Sequence, residues 1–225
     1  MTAQSTLIAI AVIGGTGKEG KGLAYRWAAA GYHVAIGSRV PQKAISAAAE
    51  IGQLVGGPSH VSGTSNLAAA EQASVVVLTV PYAAHREILE SIKPALRGKT
   101  LIDATVPLVQ GKASRALMPA AGSAAQEARQ ILGSDVQVAS AFHSISYEHL
   151  LKTDVVDCDV LVTGTSPEAR QEALKLVEAA NLRGWDAGPL ENSAVSEGLA
   201  SVLIFINKKY GSAQAGIRIT GVSRP

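Results

Sequence analysis

One stretch constrains this chain more than any other. Seven apolar residues, Leu7-Ile-Ala-Ile-Ala-Val-Ile13, run directly into Gly14-Gly15-Thr16-Gly17-Lys18-Glu19-Gly20-Lys21-Gly22. An unbroken, β-rich apolar run reads as a strand buried on both faces. The glycines stop it, and Gly17 to Ala30 then follows as a helix ended by Gly31. Gly15, Gly17 and Gly20 fit G-x-G-x-x-G in the strand-to-helix context that gives the pattern meaning. Such glycines permit a tight turn and close backbone approach, and the helix start offers unpaired N–H groups to a pyrophosphate. Gly15 to Gly20 followed by Lys21 also has P-loop spacing. Residue 22 is Gly where a Ser or Thr must hold magnesium, so nucleotide hydrolysis is excluded.

The alternation continues along the chain. Strands are expected at Tyr32 to Ile36, His60 to Ser62, Ser74 to Val80, Thr100 to Ala104, Val136 to Ser140 and Asp159 to Thr163. Helices are expected at Gln42 to Leu54 behind Pro41, Tyr82 to Leu96, Ser123 to Leu132, Glu168 to Ala180 and Glu191 to Ile206. Gly184 to Ala187 is short and extended, and Lys112 to Gly122 has turn character. This is the pattern of an α/β fold: a Rossmann-type, doubly wound, mostly parallel sheet with a small C-terminal helical extension. Apolar residues make up 47% of the 225 and aromatics only 4%, so Val, Ile, Leu and Ala must fill the core. Twenty Lys and Arg against eighteen Asp and Glu leave a net charge of +2, too balanced for a nucleic-acid binder. A single cysteine, Cys158, excludes an internal disulfide framework and a multi-Cys zinc site. The run from Leu7 leads into a glycine loop and no apolar run reaches membrane-spanning length. We therefore expect a cytoplasmic protein that engages no membrane.

The second strand ends in Ile36-Gly37-Ser38-Arg39, with Lys43 one helical turn on. NAD-binding folds usually place an acid there, on the ribose 2′-hydroxyl. A hydroxyl and two cations suit a 2′-phosphate instead, with Arg able to bond it in a bidentate manner. The residues thus predict NADP(H). Val80 to Tyr82 and Ala104 to Pro107 end two further strands at the same edge, where ligands of such sheets bind. His143 follows the strand Val136 to Ser140 on that edge and is the candidate catalytic residue, either as acid/base or as a ring that packs and orients. His149 and His85 fall on helical stretches and are expected at the surface; His33 and His60 lie at the wrong end of the sheet. No histidines fall at metal-ligand spacing, so no metal is expected. Neither a Tyr-x-x-x-Lys pair nor a His–carboxylate dyad is evident, which suits a hydride passed directly between two bound cofactors, where proximity carries the reaction.

Five segments in this order resemble a known family: Gly14-Gly-Thr-Gly-x-x-Gly-Lys-Gly22, Gly37-Ser-Arg39 with Lys43, Leu78-Thr-Val-Pro81, Ser140-Ala-Phe-His-Ser-Ile145 and Asp186-Ala-Gly-Pro-Leu-x-Asn-Ser193. Together they look like the NADPH-dependent reductases of coenzyme F420, also called F420-dependent NADP oxidoreductases, over about Ile8 to Gly216. The resemblance implies reversible hydride transfer between NADPH and the 8-hydroxy-5-deazaflavin, and a homodimer. It implies an NADP-binding domain over 1–150, and a C-terminal part over 151–225 that completes the deazaflavin pocket and the dimer surface. Carried over by motif, Gly15, Thr16, Gly17, Lys18, Glu19, Gly20, Ser38, Arg39 and Lys43 would hold the pyrophosphate and 2′-phosphate. Tyr82, Val106 and Tyr147 would flank the NADP, with His143 and Ile145 near the deazaflavin and nicotinamide. Tyr147 departs from the small residue of the family pattern, and Tyr82 stands where a Trp can stand. The residues alone leave open two alternatives, an NADPH-dependent reductase of a small imine or keto metabolite and a non-enzymatic NADP-binding protein.

Overall fold

Eight strands form one sheet in the computed structural model, which describes residues 9–56, 60–109, 111–151 and 156–223. In chain order the strands are β1 (Ile10–Ile13), β2 (Val34–Ser38), β3 (Val61–Ser65), β4 (Val75–Leu78), β5 (Thr100–Asp103), β6 (Gln137–Ser140), β7 (Asp159–Gly164) and β8 (Arg183–Pro189). The helices are α1 (Lys18–Ala29), α2 (Pro41–Val55), α3 (Asn66–Gln72), α4 (Tyr82–Ile92), α5 (Ala124–Leu132), α6 (Tyr147–Leu150), α7 (Pro167–Ala179) and α8 (Ser193–Tyr210). The sheet order is β3-β2-β1-β4-β5-β6-β7-β8. The order turns outward in both directions from β1 and β4, as a doubly wound Rossmann-type sheet must, and the crevice for ligands lies at that switch point.

All neighbouring strands run parallel except β6 and β7, which pair antiparallel with Ser140 opposite Thr163. The expected elements are present, with differences at their ends. Of the first expected strand, Leu7 and Ile8 lie outside the described residues. The third strand is longer than His60 to Ser62 and leads into α3, a helix that the sequence did not announce. Ser65 caps that helix by accepting from Ala68 N at 3.2 Å. Gly184 to Ala187 is the middle of the full strand β8.

Two apolar layers flank the sheet. One, under α1, α2 and α7, gathers Ile10, Val12, Leu23, Trp27, Ile36, Ile51, Val160, Val162 and Leu176. The other, under α3, α4 and α5, gathers Ile13, Val76, Leu78, Ile88, Leu89, Leu101, Leu132 and Val138. β1 and β4 are buried on both faces, which is why their sequences show no alternation. Helix α1 also fixes the chain after β6. Its Arg26 is buried and donates to the carbonyls of His149 (2.8 Å), Leu150 (3.1 Å) and Ala180 (2.7 Å). Its Trp27 donates to Leu176 O at 2.8 Å and meets the edge of Phe142 at a ring distance of 5.9 Å.

Gly22 lies on α1 where a Cβ would overlap Leu150 Cβ. Gly22→Ala is expected to push α1 off α6 and cost about 1–3 kcal/mol, the usual range for overpacking a core. Urea denaturation measures this; an unchanged midpoint would show that α6 yields freely.

Candidate functional site

The carboxyl ends of β1, β2, β4, β5 and β6 share one edge, and the site is built there. Gly14 takes the left-handed conformation (φ 76°) as the chain leaves β1. A Cβ on Gly20 would lie 2.5 Å from Thr79 Oγ1 and 2.7 Å from Gly15 Cα, so this residue lets α1 sit against the ends of β1 and β4. Gly17 differs: a Cβ there would meet only Gly14 O, at 3.5 Å. No protein atom requires that glycine, and the space beside it is the cradle that a close-lying phosphate needs. The start of α1 has no side-chain cap, and neither does α2 after Ser38 and Arg39. The helices α4 and α8 also lack a side-chain cap, whereas α3, α5, α6 and α7 are each capped by a serine. The uncapped starts leave N–H groups for an anion.

Two concavities meet the glycine loop. A groove of about 360 Å³ is lined by Thr16, Lys21, Lys43 and Ser46, with Glu50 ion-paired to Lys21. Ser38 lies at the end of β2 with its Oγ accepting from Val40 N at 3.1 Å, and Arg39 beside it is exposed. A deeper cavity of about 460 Å³ brings together Glu19, Val106, His143, Ile145 and Tyr147, with α8 forming the facing wall through Ala200, Leu203 and Lys208. Lys18 links the two sides of its mouth. Its Nζ donates to Tyr147 Oη at 3.3 Å and lies 4.6 Å from the ring centroid. Tyr82 stands apart from this cavity, its hydroxyl donating to Glu127 Oε2 at 2.6 Å.

His143 owes its place to the residue before it. Phe142 is fully buried and has φ 75°, a conformation costly for a side chain larger than Gly, about 1–3 kcal/mol. Edge-on contact with Trp27 holds it there. The resulting turn puts His143 into the cavity wall. Burial pulls the imidazole down to about 4 against the raising influence of Asp103, so the ring is neutral near pH 7. Burial pushes the half-buried Glu19 up to about 8, which makes it a largely protonated neighbour of the phosphate cradle.

Beneath the cavity lies a buried polar cluster that the sequence reading missed. His85 was expected at the surface; it is fully buried on α4, with Nε2 2.7 Å from Asp103 Oδ2. This is a His–carboxylate pair where none was expected. Burial opposes the charge on His85, but the charge and hydrogen bond of Asp103 outweigh it and raise its pKa. The other Asp103 oxygen accepts from Thr105 N at 2.9 Å. Glu197 of α8 is also fully buried, accepting from Ala124 N at 2.6 Å and Ala125 N at 3.1 Å at the start of α5. Burial, then the nearby Asp103, push it up to about 8. Only a polar residue interrupting an apolar run, Asp103 after Leu101-Ile102 and Glu197 within α8, marks these positions in the sequence. The Asp186 to Leu190 segment closes a turn: Asp186 accepts from Arg170 and Gly188 N, and Gly188 has φ 87°. Among the described residues no cluster of three metal-ligating side chains occurs.

Glu19, Glu197 and His85 have raised pKa values and so bind more protons folded than unfolded. Each stabilises the fold at low pH and loses that contribution as pH rises through its folded pKa. His143 has the opposite sign, with its effect complete by about pH 6.5, its ordinary value. Stability is therefore expected to fall between pH 6.5 and 8, and Glu197→Gln should flatten that fall. Urea titrations at stepped pH test it; an equally steep fall in the variant would mean that Glu197 is ionised throughout.

Comparisons with known proteins agree with this geometry. The family model described as NADP oxidoreductase coenzyme F420-dependent matches residues 9–107. The F420-dependent NADP reductase of Methanothermobacter marburgensis is 44% identical over 220 residues, covering 95% of this chain and 98% of that protein. That of Methanocaldococcus jannaschii is 36% identical, with 95% and 98% covered. A crystal structure from Arthrobacter sp. FB24, provisionally described as an F420-dependent NADP-reductase, has a TM-score of 0.77 at 25% identity, with 95% of this chain and 99% of that chain covered. The chain belongs to the F420-dependent NADP reductase family.

Proposed function

We infer that this chain is an oxidoreductase that transfers hydride reversibly between NADPH and coenzyme F420. The observation that carries the reading is a phosphate cradle at Gly17 opening beside a cavity large enough for a second ring system. In this reading Gly15 to Gly20 and the uncapped start of α1 hold the pyrophosphate. Ser38, Arg39 and Lys43 take the 2′-phosphate, and Lys18 exchanges Tyr147 for a phosphate oxygen. Val106, Ile145 and Tyr147 bound the rings, and Tyr82 borders the NADP trough. Residues 1–150 supply the NADP side, and residues 151–225 supply α8 and the chain after it, whose Ser212, Ala213 and Ala215 close the cavity.

The substrates supply the redox chemistry: hydride leaves the dihydronicotinamide, and the oxidised deazaflavin gains that hydride and a proton. The protein's work is to hold the two rings face to face and keep water out. A neutral His143 is suited to this wall, because an imidazolium would oppose the positive charge that grows on the nicotinamide as hydride departs. Glu19, protonated, adds no anion beside the pyrophosphate.

Mixing the protein with NADPH and oxidised F420 tests the activity directly. The deazaflavin absorbance band should bleach; tight NADPH binding without bleaching would refute the reading. Arg39→Ala should weaken NADPH by on the order of 10- to 100-fold, the scale of a charged hydrogen bond, and leave NADH nearly unchanged. Titration calorimetry with both nucleotides reads the difference, and equal losses would remove Arg39 from the 2′-phosphate.

The exposed face of α8 carries Val195, Val202, Phe205 and Tyr210. An apolar row of this kind on a surface helix suits a second copy of the chain. We place the homodimer contact there and the protein in the cytoplasm; among the described residues no helix is long and apolar enough to cross a membrane. Phe205→Asp should convert a sedimenting dimer to a monomer, and an unchanged sedimentation coefficient would move the contact elsewhere.

A further inference from the structure

Hydride transfer to an oxidised deazaflavin is complete only when a proton follows, and one residue of the cavity is placed to supply it. Glu19 stands in the first turn of α1, close to the Gly17 cradle, and lines the cavity with Val106, His143 and Ile145. It is half-buried, and its carboxyl has no hydrogen bond or ion pair with another described residue. Enclosed carboxyls are ordinarily paired or bonded to N–H groups, so one left without a partner in a substrate cavity points to a functional role.

The other ionisable groups that face Glu19 are disposed differently. Lys18, beside it on α1, is turned to Tyr147 of α6. Lys21, further along α1, is paired with Glu50 of α2. Glu148 on α6 and Lys208 on α8 line the same cavity but are exposed to solvent. His143, in the loop after β6, is held neutral by burial and so carries no second proton to give. Glu19 is thus the enclosed acid of the cavity that no other group engages.

We propose that Glu19 is the proton donor of the reaction: its carboxylic acid protonates the deazaflavin as hydride arrives from NADPH, and its carboxylate takes the proton back in the reverse direction. This rests on the reading of the cavity as the deazaflavin site. A C–H bond of the dihydronicotinamide breaks, and its electron pair goes with the hydrogen to a carbon of the deazaflavin. The ring nitrogen conjugated to that carbon becomes basic, and the O–H bond of Glu19 breaks to protonate it. NADP is left oxidised, the deazaflavin reduced and Glu19 a carboxylate, which water reprotonates. The charges balance inside the cavity, because the negative charge on Glu19 appears together with the positive charge on the nicotinamide. Burial favours the neutral acid before transfer, and the new cation favours the carboxylate after it.

The first measurement needs neither substrate. In the whole protein labelled with ¹³C at its glutamate carboxyls, the resonance lost in Glu19→Gln belongs to Glu19. It should be that of a carboxylic acid at pH 6 and titrate near pH 8. The amide keeps the size of the side chain and removes the transferable proton, so the Kd for NADPH should stay near that of wild type. F420 reduction by NADPH should slow about 100-fold at pH 6, a usual share for general acid catalysis. That loss should shrink above pH 8, where wild type also lacks the proton. In the reverse direction the loss should instead grow as pH rises and the carboxylate of wild type forms. Glu19→Ala should show the same two slopes and carries the test if the amide disturbs the fold. A Glu19 resonance already ionised at pH 6 overturns the proposal. So does an undiminished rate, and so does an equal loss at every pH in both directions, which marks a residue that only packs. Wild type that binds NADPH but never reduces F420 overturns the reading of the cavity itself, and the role of Glu19 with it.

Discussion

One buried guanidinium sets the distance between the two walls of the site. Arg26 sits near the end of the helix whose first turn holds the glycine loop, and it donates to carbonyls of α6 and to Ala180 after α7. A buried arginine left without acceptors is expensive, so the backbone that supplies them is held in place. α6 follows the histidine loop directly, with Tyr147 as its first residue. The phosphate cradle at one end of α1 and the loop carrying His143 are thus parts of one rigid body. Trp27, one residue on, supports the left-handed backbone of Phe142 from beneath. A two-substrate hydride transfer depends on the ring separation, and the packing of this one helix fixes the distance between the glycine loop and the loop of His143.

How much of this was legible in the sequence follows from how local each feature is. β1, the glycine turn and α1 were legible because the apolar run, the glycines and Gly31 are contiguous. The site edge followed too, since the parallel run of β1 to β6 puts their carboxyl ends together. The antiparallel pairing of β7 was not, because an apolar strand such as Val160-Leu-Val162 has no direction in its composition. Helix α3 escaped notice because it is seven residues long and capped by the last residue of a strand. His85 was misjudged for a related reason. On a helix of mixed polarity a histidine looks solvated, and only the fold supplies Asp103 as a partner 18 residues away. Of the residues expected at the site, Glu19, Val106, His143, Ile145 and Tyr147 share one cavity, and Thr16 and Lys43 share the adjoining groove. Tyr82 lines neither, and its hydroxyl donates to Glu127.

The buried cluster has its own logic. Asp103 acts on both Glu197 and His85, and Glu127 on both His85 and Tyr82, within a core that is otherwise mostly Val, Ile, Leu and Ala. Such a strip survives only if each charge is paired, protonated or bonded to backbone N–H groups. The structure uses each device. His85 pairs with Asp103, Arg86 with Glu127, and the start of α5 donates to Glu197. The strip lies at the ends of β5 and β6, directly under the cavity floor. Asp103 in this way acts on His143 in the cavity wall, although burial of the imidazole remains the larger influence.

The reversal at β7 explains how the chain after α8 comes to close the cavity. Because β7 runs against β6, its first residues lie at the same edge as the ends of the parallel strands. Ser144 beside His143 donates to Asp159 O at 2.7 Å. Asp159 N and its Oδ2 then bind Ile217 O and Ile219 N, at 2.8 and 2.7 Å, and so draw the chain after α8 back to the cleft. Gly216 passes so close to Cys158 that a Cβ would collide with the sulfur. A β7 parallel to β6 would carry Asp159 to the opposite edge and leave that segment without an anchor. The single antiparallel pair thus lets residues 212–219 return over the cavity.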